Sequence, residues 1–382
     1  MPVTDQSQTV RRGATLYAPR DGSPAAAGPA ANTRAPLAWD EFQEQVKALL
    51  AQHFAAQGRR AAALSPAFSV LWEHMAGTVT GGKLMRPKLV YVSYEAFGGR
   101  DWAACAELAA AFEMLHASLL VHDDVIDRDF VRRGSDNLGA VYRDAALAQG
   151  HTPADADHAG YSAAIIAGDL LLTGAVRLAT LAGTGRAHAD AILATIHEAF
   201  FAAAAGELDD LLFSLHTASP GLAQVLNMER LKTAVYSFEM PLRAGALLAG
   251  EPPGTADALA DVGRDIGVAY QLIDDVLGTF GQPAVTGKSV ESDLREGKRT
   301  ILTTFAEGSD DFAAALEDFR RGGRDIAEVR AVLRDLGAER YAVDLAETLV
   351  AQALRRAEEL QLPASLRVEL RRICDYVLTR RS

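Results

Sequence analysis

The stretch Trp102-Ala-Ala-Cys105-Ala-Glu-Leu108-Ala-Ala-Ala-Phe112-Glu-Met-Leu115-His-Ala-Ser-Leu119-Leu-Val-His122-Asp123-Asp124-Val-Ile-Asp127 decides the fold class. Its apolar positions Cys105, Leu108, Phe112, Leu115 and Leu119 recur at three and four residues, the period of an amphipathic helix. The helix ends in acid, with Asp123 and Asp127 at i and i+4, so both carboxylates share one face, one turn apart. A second long apolar pattern closes in the same way, on Gln271-Leu-Ile-Asp274-Asp275-Val-Leu-Gly278.

Carboxylates gathered this closely stay ionised in a cleft only where positive charge compensates them. Hard oxygen ligands suit Mg²⁺, which keeps waters and bridges to substrate phosphates, so two such clusters point to a diphosphate held by metal between two helices. Taken alone, one acidic pair equally reads as the start of a loop at a helix end. Cationic segments interleaved with the clusters favour the diphosphate. Gly81-Gly82-Lys83-Leu-Met-Arg86-Pro87 opens a helix, where backbone N–H groups, Lys83 and Arg86 can face an anion. Arg132-Arg133-Gly134 follows the first cluster, Lys232-Thr233 begins another helical segment, and Gly287-Lys288 and Gly297-Lys298 follow the second cluster. A single basic pair of this kind is usually a solvated surface feature.

In identity and order these motifs resemble the trans-isoprenyl diphosphate synthases, or polyprenyl synthetases, over roughly residues 45 to 380, in the pattern of geranylgeranyl diphosphate synthase-like members. The resemblance also rests on Glu113-Met-Leu-His116, Gly168-Asp169, Lys232-Thr-Ala-Val-Tyr236-Ser-Phe238, Thr286-Gly287-Lys288 and Asp293-Leu-Arg-Glu-Gly297-Lys298-Arg-Thr300. It implies an all-α helical bundle of the isoprenoid synthase type with a central active-site cavity. It also implies a Mg²⁺-dependent prenyltransferase that joins isopentenyl diphosphate to allylic diphosphates, head to tail and trans. By the same resemblance Asp123 and Asp127 hold two of three Mg²⁺ ions, Asp274 holds the third with Asp275 beside it, and Asp123, Asp127, Lys232, Thr233 and Asp274 are catalytic. Arg132, Lys232, Thr233, Gln271, Lys288 and Lys298 bind the allylic diphosphate or its metals. Lys83, Arg86, His116 and Arg133 bind isopentenyl diphosphate, and Thr233 and Tyr236 lie near the reacting carbons. Homodimers are usual in the family and are expected here.

Three positions depart from the family pattern. Gly278 stands where a third Asp is common, Ser135-Asp136-Asn137-Leu138-Gly139 replaces a Pro-Thr-containing loop, and Gly206-Glu207 replaces a frequent Gly-Gln. In this family the growing tail threads an apolar tunnel along the first acidic helix, floored by bulky side chains before the cluster. Here the fifth and fourth residues before Asp123 are Ser118 and Leu119, and Phe112 lies on nearly the same face, about 16 Å from Asp123 along the helix. An unblocked mouth with Phe112 as floor implies a product of C20 or longer, with geranylgeranyl diphosphate the single expectation. Ordinary core packing explains Phe112 equally well.

Length and composition agree with a large helical core. The chain has 382 residues, 49% of them hydrophobic, and helical periodicity outweighs strand alternation along nearly all of it. One domain over 37–382 is expected, with helices near 38–57, 65–78, 84–98, 101–128, 160–182, 187–215, 221–249, 255–281, 338–361 and 364–380. Residues 1–36, rich in Pro, Gly, Ala, Ser and Thr, read as a disordered tail, and Arg11-Arg12 lacks the apolar core of a secretory signal. The segment Gln149-Gly-His151-Thr-Pro-Ala-Asp155-Ala-Asp157-His158-Ala-Gly160 imitates a metal site but reads as a solvated loop between helices.

A formal charge of −12 argues against nucleic-acid binding, which needs clustered surface cations, whereas the cations here are spread among the motifs. Cys105 and Cys374 lack metal-ligand spacing and read as buried thiols in a reducing cytoplasm. No apolar run approaches about 20 residues, so no membrane span is expected. Two other readings compete with elongation. A class I terpene cyclase shares the first acidic cluster but has no use for a second diphosphate pocket at Lys83, Arg86 and His116. A non-catalytic partner subunit would be expected to lose groups such as Asp123, Asp127, Arg132 and Lys232.

Overall fold

The computed structural model describes residues 37–79, 82–132, 134–215, 219–281, 294 and 297–380. The expected tail 1–36 lies outside them. Fifteen α-helices occur among the described residues: α1 Trp39–Ala62, α2 Pro66–Val79, α3 Met85–Ala96, α4 Trp102–Ile126, α5 Leu138–Ala148, α6 Pro153–Gly183, α7 Ala189–Ser214, α8 Leu222–Glu229, α9 Met240–Ala249, α10 Pro253–Phe280, α11 Ile301–Ala306, α12 Asp310–Arg320, α13 Ile326–Asp335, α14 Ala338–Glu359 and α15 Ala364–Thr379. A π-helical segment, Arg230–Glu239, joins α8 to α9, and a two-residue hairpin, β1 Val131–Arg132 with β2 Ser135–Asp136, follows α4.

The ends of α4 are written in its sequence. Asp101 caps the start by accepting from the Ala104 N–H at 3.2 Å, and Asp127 is the C-cap, its N–H donating to the Asp123 carbonyl at 2.8 Å. Between them Cys105, Leu108, Phe112 and Leu115 are fully buried. The helix packs mainly on α6, where the small side chains Ala109, Ala110 and Ala111 admit a close neighbour. One apolar core runs from α1 through α15 and leaves the acidic ends of α4 and α10 beside a cavity.

The structure departs from the sequence reading in three places. The segment 149–160 is not a loop throughout: α6 begins at Pro153, with the Thr152 hydroxyl accepting from the Asp155 N–H and proline at the first helical position. Helices α5 and α11 to α13 were not expected, because each is short and its apolar stripe is only two or three residues long. Three helices, α4, α6 and α7, are also long and apolar enough to cross a membrane by length and composition, since abundant Ala, Leu and Ile dilute their few charges. In α4 the apolar window is 78% buried inside the bundle, against 44% in α6 and 33% in α7.

Candidate active site

Asp123 and Asp274 reach the same cavity, of about 590 Å³, from the ends of α4 and α10. Arg86, Leu119, Arg132, Lys232, Thr233, Gln271 and Lys298 also line it. Asp127 joins through Lys298, whose ammonium donates to its Oδ2 at 2.6 Å. Arg133 and Lys288 lie outside the described residues.

The hairpin after α4 returns Arg132 to the acidic helix end, where it donates from Nη2 to Asp123 Oδ2 and from Nε to Asp124 Oδ1, both at 2.6 Å. The departing residues Ser135 and Asp136 form the second strand, pairing Val131 with Asp136 and Arg132 with Ser135. The altered loop therefore still delivers its arginine. Burial pushes the Asp123 carboxyl upward, but Lys232, Arg132 and Lys298 outweigh it and hold the group well below the usual carboxylate range. At Asp124 burial prevails over Arg132, and the carboxyl is pushed up to about 6.

Lys232 stands in the π-helical segment, a wide-turned helix found preferentially at functional sites. Its ammonium meets three carboxylates, Asp210 at 2.6 Å, Glu207 at 3.0 Å and Asp123 at 3.2 Å. Burial alone would lower the Lys232 value, but Asp123, Asp210 and Glu207 raise it well above the ordinary lysine range. Burial raises Glu207 to about 7 against the pull of Lys232. Glu229, buried, is raised well above the usual carboxylate range by burial and by the Asp275 carboxylate. Gln271 donates to Asp275 Oδ1 at 2.8 Å and orients it.

A second cationic group lies behind Tyr236. Arg86 donates to Ser237 Oγ at 2.8 Å and to the Tyr236 hydroxyl at 3.4 Å, and its guanidinium lies 4.9 Å from that ring centroid. The His116 ring stacks on Tyr236, with Nδ1 3.3 Å from the phenol oxygen. Lys83 donates to the Tyr376 hydroxyl at 3.2 Å. Leu84, the N-cap of α3, has φ 50°, a strained left-handed conformation that turns the chain between Lys83 and Arg86. At Gly82 a Cβ would stand 2.9 Å from Glu113 Oε1, so the loop runs close past that buried acid and any side chain there would make the carboxylate shift.

The family model for polyprenyl synthetases matches residues 69–336. The chain belongs to the polyprenyl synthetase family. It is a trans-type prenyltransferase with the family's all-α fold. It is 33% identical over 310 residues to geranylfarnesyl diphosphate synthase of Aeropyrum pernix, covering 78% of this chain and 91% of the relative. It is also 33% identical over 311 residues to (2E,6E)-farnesyl diphosphate synthase of Mycobacterium tuberculosis, covering 79% and 80%. The crystal structure of geranylgeranyl pyrophosphate synthase from Corynebacterium glutamicum, complexed with isoprenyl diphosphate and magnesium, superposes with a TM-score of 0.82 at 30% identity. That match covers 90% of this chain and all of the other.

The three residues expected to form the chain-length wall are placed differently in this prenyltransferase. Leu119 lines the cavity, but Ser118 is fully buried on the other side of α4, donating to the Gly168 carbonyl of α6 at 2.8 Å. Phe112 is likewise fully buried and does not line the cavity. A position five residues before Asp123 is rotated away from it at 100° per residue, and α6 takes up that face. Phe200 of α7 also lines the cavity, as do Tyr236 and Tyr270.

Glu207, Asp210 and Glu229 are further polar lining residues that sequence reasoning left without a role. The signal for the first two was their spacing, since Phe200, Ala203, Glu207 and Asp210 share one face of α7.

Among the described residues no three His, Cys, Asp or Glu side chains form a ready-made metal cage. Protein cations stand between the acids instead. That arrangement fits a hard divalent ion that arrives with its own oxygen ligands, from waters and a diphosphate, and engages Asp123, Asp127 and Asp274 separately.

Glu207→Gln tests the electrostatics of Lys232, which keeps Asp210 and Asp123 in the variant. Because the folded-state value of Glu207, about 7, lies above the unfolded value of about 4.3, the wild type loses stability as pH rises between them. The gain in Tm of the variant over the wild type should therefore grow across that window and level off above it. A gain independent of pH would show that Glu207 does not titrate there.

Proposed function

We propose that the chain condenses isopentenyl diphosphate with allylic diphosphates, head to tail and in trans geometry, to a product of C20 or longer, with geranylgeranyl diphosphate as the specific product. The observation that carries this reading is the presence of two cationic groups, the second of which shares the cavity through Arg86. One, with Lys232, Arg132 and Lys298, lies among the acids of α4 and α10; the other, with Lys83, Arg86 and His116, lies behind Tyr236. A terpene cyclase has one phosphorylated substrate and no use for the second pocket. A non-catalytic subunit has no use for the first.

Asp123, Asp127 and Asp274 would hold Mg²⁺, three ions in all, and the metal when bound supplies Lewis-acid charge to the leaving diphosphate. Lys232, Arg132, Lys298 and Lys288 hold the allylic diphosphate where negative charge grows as its C–O bond breaks, and Gln271 orients Asp275 beside it. Lys83, Arg86, His116 and Arg133 seat the second diphosphate. Thr233 and Tyr236 flank the space between, where the double bond of isopentenyl diphosphate attacks the allylic cation. A proton then leaves to the released pyrophosphate. Leu119, Leu120, Phe200 and Ala203 give the cation a wall with no nucleophile.

The same wall supports the chain-length assignment. Ala203 and Ala204 present small side chains to the cavity that Leu119 lines, and Phe200, one turn earlier on α7, is the bulky residue we assign as the end of the tail's channel. Phe200→Ala is expected to shift products upward by at least one five-carbon unit, and Leu119→Phe to shift them downward. Unchanged product length in both variants would remove this wall from the tunnel.

We further propose a cytoplasmic homodimer without a membrane span and with no nucleic-acid partner. Both cysteines are free and buried. The exposed stripe Phe201, Leu208, Leu212 and Leu215 on α7 suits a helix-on-helix contact with a second copy. The deciding experiment is chromatography of products from labelled isopentenyl diphosphate with dimethylallyl, geranyl and farnesyl diphosphates. Geranylgeranyl diphosphate is expected from all three primers. Cyclic hydrocarbon released from geranylgeranyl diphosphate alone would overturn elongation as the main activity.

A further inference from the structure

The last turn of α15 carries Arg380 to the second acidic cluster. The guanidinium lies 3.7 Å from the Tyr270 ring centroid, Nη2 donates to the Tyr270 carbonyl at 2.7 Å, and Nη1 stands 3.2 Å from Asp274 Oδ1. One turn earlier the same helix is tied down by the Tyr376 hydroxyl, which accepts from Lys83, and the Arg380 N–H donates to the Tyr376 carbonyl at 2.9 Å. The Arg380 side chain is only 2% exposed, whereas that of Asp274 is 38% exposed. The arginine is thus wedged behind the acid, which stays open to the cavity.

This cation differs from the others at the site. Lys232, Arg132 and Lys298 line the cavity and can follow an incoming diphosphate, but Arg380 does not line it. Its Nε is buried without a hydrogen bond, so the neighbouring carboxylate charge is part of what holds the guanidinium there. With glycine at position 278, Asp274 and Asp275 are the carboxylates of this cluster, both half-buried. A divalent ion at Asp274 and a water-shielded guanidinium on the same carboxylate repel each other strongly.

We propose that Arg380 is the resident counter-ion of Asp274 and is exchanged for the divalent ion when metal and diphosphate bind, so that this C-terminal arginine sets metal affinity on the α10 side of the site. The inference rests on the reading of Asp274 as a metal ligand.

The test is calorimetric titration of the full chain with Mn²⁺ in the presence of inorganic pyrophosphate. Arg380→Ala is expected to bind Mn²⁺ about tenfold more tightly than wild type, Arg380→Lys to shift less, and the effect of Arg380→Ala to vanish in an Asp274→Asn background. In the wild type, trypsin cleavage after Arg380, followed by mass spectrometry, should speed up when Mn²⁺ and pyrophosphate are added. Unchanged or weaker Mn²⁺ binding by Arg380→Ala, with an intact thermal transition, would overturn the exchange, as would an undiminished effect in the Asp274→Asn background. If Arg380→Ala does not fold, Arg380→Lys and metal-independent trypsin cleavage decide the matter. Failure of the prenyl-transfer reading shows differently, as metal binding without condensation.

Discussion

Asp123→Asn is expected to lower kcat/KM by about three orders of magnitude or more, the scale of losing a key transition-state contact worth about 2.7–4 kcal/mol together with a metal ligand. The side chain differs only in charge and in one oxygen, so a loss of that size must come from electrostatics rather than shape. Asp123 receives Arg132 and Lys232 from two separate elements, and its carboxyl is held far below the ordinary range. The neutral amide would leave Lys232 with Glu207 and Asp210, and Arg132 with Asp124. Both cations therefore keep partners, and the fold should survive. Because the folded-state value of Asp123 is depressed, its contribution to stability is present above the unfolded value of about 3.9 and fades as pH falls through the folded one. The Tm difference between wild type and variant should accordingly be largest near neutrality and shrink in acid. Steady-state kinetics across a Mg²⁺ titration give the decisive measurement. Near-normal turnover at any Mg²⁺ concentration would remove Asp123 from the reacting centre.

Before any substrate arrives, each acid expected to hold metal is already paired with a protein cation. Asp123 holds Arg132 and Lys232, Asp127 holds Lys298, and Asp274 holds Arg380. An anionic substrate alone can recruit these cations only by stripping the acids of their partners, and a metal ion alone can recruit the acids only by stripping the cations. A metal diphosphate satisfies both sets at once, which favours joint binding over either component alone.

What could be read from the chain follows from the range of the interactions involved. Helices α4 and α10 and their acidic ends were legible because a period of three and four residues, a cap and an i,i+4 acid pair are all local. The convergence of Asp123 and Asp274 on one cavity was legible only through the family pattern, since no local rule places two helix ends together. Which residues of α4 face the cavity was not legible for the same reason. Counting back from Asp123 along α4 gives Ser118 and Phe112, but which face meets the cavity depends on α6 and α7, and Ser118 turns to the Gly168 carbonyl. Phe200 carried no signal of its own until α7 lay opposite α4. Arg380 is the extreme case, with more than a hundred residues between it and Asp274 and nothing but an ordinary basic C-terminus in the sequence.

Gly206→Val is expected to lower kcat/KM by about two to three orders of magnitude and to cost about 1–3 kcal/mol of stability or more, without touching a charged group. The reason lies in the crossing of α7 over the π-helical segment. A Cβ at Gly206 would stand 2.3 Å from the Lys232 backbone N and 2.7 Å from its Cα, and backbone atoms cannot rotate aside as a side-chain end can. The two elements must move apart, and they carry opposite halves of one charge cluster. Glu207 and Asp210 belong to α7, Lys232 to the facing segment, and the contacts between them are 3.0 and 2.6 Å long. A separation of even an ångström loosens both contacts and draws Lys232 off Asp123. Gly206→Ala should show the same effect in weaker form. Gly58→Ala in α1 supplies the control, because nothing lies within 4 Å of its added Cβ and helix propensity alone should make it neutral or stabilising by up to about 1 kcal/mol. If the position of Lys232 depends on backbone contact at this crossing, the two alanine variants must diverge in kcat/KM as well as in Tm. Matching kinetics for Gly206→Ala and Gly58→Ala would mean that the lysine finds its place by charge alone, and that the close approach of the helices serves packing only.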